Sequence, residues 1–202
     1  MTPPTPGAPR SLDDLPEERV RALLRGICSA EEWVDAVLAA RPLPDVAAAC
    51  AASDAAVAAL SEEGLDRALA GHPPIGRPRP GDPVSAREQR GTADASPALR
   101  AELLELNLAY QGRFGHVFLI RATGRTAEQM RDALRARLDN PPEVEREVTR
   151  AELAAINRLR LARLHVPVPP APGGTTDGAD DHPTPANTTG PPRPPVTEGE
   201  PP

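Results

Sequence analysis

The stretch Gly71-His72-Pro73-Pro74-Ile75-Gly76-Arg77-Pro78-Arg79-Pro80-Gly81-Asp82-Pro83-Val84-Ser85-Ala86-Arg87-Glu88-Gln89 places a titratable ring and a carboxylate on either side of a stiff, irregular backbone. A helical pattern ends at Gly71. The prolines that follow hold φ near −65° and remove backbone donors, so the segment reads as a rigid loop. Ser85 then opens the next helix as an N-cap, and Glu88 three residues on completes a capping box. The pattern is therefore helix, proline-stiffened loop, helix. On these residues alone a loop histidine before an ordinary helix start stands beside a catalytic reading.

Outward from this loop the periodicity is helical throughout. Leu15, Val20, Leu23, Leu24 and Ile27 fall at helix spacing, with Pro16 suited to a first turn, which predicts a helix over Pro16 to Arg25. Further helices are predicted over Ala30 to Ala40, Pro44 to Leu60 and Ser61 to Ala70, the second alanine-rich and the third capped by Ser61. Trp33 reads as a core anchor. Beyond the loop, Leu99, Leu103, Leu106 and Tyr110 form an apolar stripe on a helix over Ala98 to Arg113. The run Val117-Phe118-Leu119-Ile120 is ambiguous by periodicity, but no second strand-like run exists to pair with it, so it reads as a buried irregular or helix-initiating segment. Thr126 and Gln129 form a capping box for a helix to Leu138, and a long helix runs from Glu143 to Leu164. The expected fold is all-α, one compact multi-helix domain over residues 11–165.

Residues 1–10 and 166–202 are rich in Pro, Thr and Gly with almost no large apolar side chain, and both are expected to be disordered tails. The chain has no lysine and a net charge of −6, which argues against a nucleic-acid partner. Cys28 and Cys50 suggest neither a disulfide framework nor a zinc site. No apolar run nears the ~20 residues that span a bilayer and no secretory leader follows Met1, so a cytoplasmic location is expected and no membrane partner.

Four ordered motifs go further: His72-Pro73-Pro74-Ile75-Gly76; Ser85-Ala86-Arg87-Glu88-Gln89; Asn107 and Tyr110 leading into Arg113-Phe114-Gly115-His116-Val117-Phe118-Leu119-Ile120; and Leu159-Arg160-Leu161. Together, from about Leu12 to Leu164, they resemble the ureidoimidazoline decarboxylases of uric acid breakdown. That resemblance implies loss of CO2 from 2-oxo-4-hydroxy-4-carboxy-5-ureidoimidazoline to give (S)-allantoin, without metal or cofactor, in a homodimer. The substrate would supply its own electron sink in a ring C=N bond, and the protein would contribute positioning and proton transfer.

The resemblance implies three catalytic residues. His72 would be the general acid/base, its ordinary pKa near 6.5 letting it take and return a proton. Glu88 would hold and polarise that imidazole or the substrate hydroxyl. Arg160 would bind an anionic or carbonyl group through its charged fork. Pro73, Ser85, Ala86, Arg87, Gln89, Phe118, Leu119, Ile120, Arg121 and Ala122 match positions that line the ligand. The chain departs from many relatives in a shorter, more proline-rich loop and in His116, expected to bring another titratable group near the site. Two rival readings remain, a helical interaction module with a Pro-rich recruiting tail and a hydrolase of a related cyclic ureide.

Overall fold

The structure is a computed structural model, and it describes residues 12–164. The tails expected to be disordered lie outside these residues. A single 3-10 turn, Leu12–Asp14, leads into α1 (Glu17–Arg25), α2 (Glu31–Ala39), α3 (Val46–Ala58) and α4 (Glu62–Ala70). After the loop come α5 (Pro83–Glu88), a second 3-10 turn (Arg90–Thr92), α6 (Pro97–Phe114), α7 (Ala127–Leu138) and α8 (Pro142–Leu164). No strand occurs among the described residues, so the all-α expectation is met.

The helix starts follow local chemistry. Asp45, Ser61, Ser96 and Thr126 each accept a hydrogen bond from the N–H three residues on, at Ala48, Gly64, Leu99 and Gln129. Thr126 and Gln129 complete the expected capping box. The one at Ser85 does not form. Asp82 is the N-cap of α5, its carboxylate accepting from Val84 N–H at 2.9 Å and Ser85 N–H at 3.1 Å, with Pro83 fixing the first helical φ. Two donors on one carboxylate outcompete a hydroxyl cap, and the cap moves three residues earlier, from Ser85 to Asp82. Glu88 thereby becomes the last residue of α5, and its carboxylate is released for a distant partner.

Two apolar cores result. One gathers α1 to α4 with Leu153, Ile156 and Leu161 of α8, around a fully buried Trp33 whose indole N–H donates to the Ser53 carbonyl at 3.3 Å. The other joins Ile75, α6 and α7 through Leu99, Leu103, Tyr110, Met130 and Leu134. The small side chains of α3 let it pack between α2 and α8.

The segment 117–122 runs along the seam between the cores. Gly115, at φ 76°, ends α6 in the left-handed region that favours glycine. The chain then extends without pairing to a strand, and its side chains alternate: Leu119 enters the first core, Phe118, Ile120 and Ala122 the second. Its backbone is tied by side chains instead, Arg137 Nη1 donating to Leu119 C=O at 2.8 Å and Arg121 N–H to Glu152 at 2.7 Å. Arg137 is itself held by Glu145, which also accepts from Tyr110 O–H and from Asn140, in a buried network.

Gly91 lies against the turn before α7, where an added Cβ would stand 1.9 Å from Arg125 O. Gly112, exposed on α6, has nothing within 4 Å of such a Cβ. We expect Gly91→Ala to destabilise the protein by about 1–3 kcal/mol and Gly112→Ala to stabilise it by up to ~1 kcal/mol, read by chemical denaturation. Equal effects would contradict the close approach.

Candidate active site

His72 follows the last turn of α4, and 92% of its surface is buried, since its exposure is 8%. Its Nδ1 lies 3.0 Å from the Ala68 carbonyl, one turn back. A carbonyl only accepts, so Nδ1 carries the proton and Nε2 the lone pair. Nε2 is buried and has no hydrogen-bond partner among the described residues. Burial lowers the imidazole pKa most, the nearby Arg160 charge adds to this, and the Ala68 carbonyl and the Glu88 charge oppose without cancelling, leaving it at about 4. At neutral pH the ring is an uncharged base.

Arg160 stands near the end of α8. Its Nε and Nη2 grip both oxygens of Glu88 at 2.9 and 2.8 Å, and Nη1 donates to Ile27 C=O at 2.7 Å. Arg163 also reaches Glu88, at 3.3 Å. Glu88 is thus anchored by arginines; of the two expected partners, the imidazole and the substrate hydroxyl, His72 receives no hydrogen bond from it and feels its charge only through space.

The loop between His72 and α5 has few backbone donors because of its prolines, and several of its carbonyls find amide side chains. Gln89 Nε2 donates to Pro74 C=O at 3.2 Å while its Oε1 accepts from Gly76 N–H at 2.9 Å. Asn107 Nδ2 donates to Ile75 C=O at 3.2 Å. The Ser85 hydroxyl accepts from Arg79 N–H at 3.2 Å. Ser85 and Gln89 are therefore engaged with the loop itself.

These groups enclose a cavity of about 30 Å³, walled by His72, Pro73, Ser85, Glu88, Gln89 and Arg160 on one side and by residues 118–123 on the other. Of the expected site residues, Ala86 and Arg87 are exposed on the outer face of α5, and Arg87 lines a separate apolar cleft beside Leu23 and Leu164. All the others meet at the cavity. His116 also stands apart, edge-on to Tyr110 and lining an open cleft with Glu62 and Arg146. Thr123 lines the cavity too, and no local motif in the sequence marks it, since its place there follows from which residues become its neighbours. A second cleft of about 270 Å³ shares His72, Pro73 and Arg160 with the first. Among the described residues no cluster of three or more His, Cys, Asp or Glu side chains is arranged to hold a metal ion.

With this geometry in hand the comparison with known proteins is decisive, since residues 13–162 match the OHCU decarboxylase family. The chain belongs to that family. It is 32% identical over 144 residues to the uric acid degradation bifunctional protein TTL of Arabidopsis thaliana, covering 68% of this chain and 44% of that protein. It is 34% identical over 95 residues to the uric acid degradation bifunctional protein PucL of Bacillus subtilis, covering 46% of this chain and 19% of that protein. The chain thus spans less than half the length of either curated relative. Among solved structures, an OHCU decarboxylase crystallised in the presence of (S)-allantoin superposes with a TM-score of 0.64 at 28% identity, over 75% of this chain and 99% of that one. An (S)-allantoin synthase shares the fold, with a TM-score of 0.60 at 21% identity, over 76% of this chain and 53% of that one.

The depressed His72 pKa has a consequence for stability. The unfolded imidazole titrates at 6.5 and the folded one at about 4, so between these values the unfolded state binds the extra proton. Unfolding free energy therefore rises with pH across that window and is lost as pH falls from 6.5 towards 4. We expect His72→Gln to remove about 2 kcal/mol of the stability difference between pH 7 and pH 5, measured by urea titration of both proteins. Identical pH slopes would mean that the ring is not held neutral.

Proposed function

We propose that this chain is a cofactor-independent decarboxylase that converts 2-oxo-4-hydroxy-4-carboxy-5-ureidoimidazoline to (S)-allantoin and CO2 in uric acid breakdown. The observation that carries the reading is a neutral imidazole whose Nε2 is buried without a partner in a cavity shared with an anchored Arg160. Family membership supports the reaction class.

The chemistry follows from these groups. Cleavage of the bond to the carboxylate sends its electron pair into the adjacent ring C=N, and CO2 departs. His72 Nε2 takes the proton of the hydroxyl on the carbon that lost CO2, which becomes a carbonyl, and returns that proton to the adjacent carbon, while the ring nitrogen that accepted the electron pair takes a proton from solvent. Arg160 keeps N–H groups beyond those bound to Glu88 and Ile27, and they hold the substrate carboxylate before it leaves. Glu88 fixes that fork in place. Because a cavity of about 30 Å³ holds little more than water, a ring-sized ligand needs the wall shared with the larger cleft to yield. The same reading has the chain act as a cytoplasmic homodimer, and light scattering showing monomer alone would count against that part.

Substrate generated in situ from urate, with allantoin followed by circular dichroism, tests the reaction. We expect His72→Ala to lower turnover by ~10²-fold or more with the fold intact. Arg160→Lys keeps the charge but loses the fork, and should reduce activity far more than the same change at Arg158, whose partner is the surface Asp54. Since the imidazole is already neutral, kcat/KM should stay level between pH 7 and about pH 5 instead of falling through 6.5. Wild-type rates in a folded His72→Ala protein would overturn the assignment.

A further inference from the structure

Two side-chain polar atoms on the cavity wall are buried without a partner among the described residues: His72 Nε2 and Thr123 Oγ1. The first is the proposed base. The second has no role in the chemistry above, and its hydroxyl makes no hydrogen bond to any of the described residues that would tie the fold together. A buried hydroxyl without a partner lowers stability, and valine would fill the same volume without that penalty. Its place on this wall calls for a ligand that completes it.

The surrounding backbone keeps that hydroxyl in position. Thr123 follows the segment tied by Arg137 at Leu119 C=O and by Glu152 at Arg121 N–H. Gly124, at φ 83°, then turns the chain into the capped start of α7. Both ends of the short stretch are fixed.

Resting on the decarboxylase reading, we propose that Thr123 is a specificity-determining residue whose hydroxyl donates to a carbonyl oxygen of a cyclic ureide. His72 Nε2 accepts only, so the two groups together suit a ligand that offers a hydroxyl or N–H at one place and a carbonyl at another. An analogue lacking the carbonyl would leave the hydroxyl buried and unpaired, which is the situation a hydrogen-bonding site discriminates against most strongly.

Thr123→Val and Thr123→Ser separate this from a structural role, because the two accounts predict opposite signs. If the hydroxyl serves the ligand, Thr123→Val should leave the melting temperature unchanged or raised while lowering kcat/KM by ~10-fold or more, and Thr123→Ser should restore most of it. Calorimetric titration with (S)-allantoin should show the same order, weaker for Thr123→Val and recovered in Thr123→Ser. Wild-type kcat/KM and wild-type allantoin binding in Thr123→Val would overturn the proposal, as would losses that track a fall in melting temperature and are not recovered by serine. A wild-type protein that binds (S)-allantoin without turning the substrate over would defeat the decarboxylase reading alone, with the binding comparison still deciding Thr123. A wild-type protein that binds no allantoin would overturn the proposal as well.

Discussion

The Arg160 guanidinium joins three parts of the chain that are far apart in sequence. It grips Glu88 at the end of α5, holds the Ile27 carbonyl between α1 and α2, and issues from α8. The side chains of the Arg160 and Glu88 pair are only 12% and 11% exposed. A pair so withdrawn from water gains little net stability, yet removing one partner leaves a buried charge, at a cost of about 3–5 kcal/mol. The pair therefore specifies how α5 meets α8 more than it stabilises either. It also sets the field in which His72 is buried, since a nearby positive charge favours the neutral ring.

The opposite wall is fixed by a second buried arginine. Arg137 holds the extended segment at Leu119 C=O, and its guanidinium lies 4.6 Å from the centre of the Phe118 ring. Glu145, fully buried, balances its charge and accepts from Tyr110 and Asn140 as well. In an all-α protein an extended segment has no neighbouring strand to pair with, so each of its backbone groups needs another partner. Here Arg137 of α7 and Glu152 of α8 supply two of them, at Leu119 C=O and Arg121 N–H. The cavity thus lies between two segments without regular structure, with Ser85, Glu88 and Arg160 of α5 and α8 completing its wall. That arrangement gives irregular backbone the rigidity that positioning a substrate requires.

Much of this was legible in the sequence. The helical periodicities of α1 to α4 and α6 to α8 survive into the structure with ends shifted by a residue or two, because caps such as Ser61 and Thr126 are local chemistry. The start of α5 was misread because Ser-x-x-Glu matched a motif, whereas Asp82-Pro83 offered a stronger cap. The outward direction of Ala86 and Arg87 was implicit in the helix itself, since Ser85, Glu88 and Gln89 at i, i+3 and i+4 share the inner face. Three things could not be read from one sequence: the ion pair from Glu88 to Arg160, the depressed pKa of His72, and the orphaned hydroxyl of Thr123. Each depends on which residues become neighbours, and for that pair the partners lie 72 positions apart.

The proposed chemistry depends on the protonation state of one ring, His72. Nitrogen-15 correlation spectra of the imidazole, with His72→Gln used to assign the signals, report directly which nitrogen carries a proton. A neutral ring protonated at Nδ1 and bare at Nε2, unchanged from pH 7 to pH 5, is the expected result. A ring that is doubly protonated at pH 6, or neutral with its proton on Nε2, would contradict the proposed chemistry.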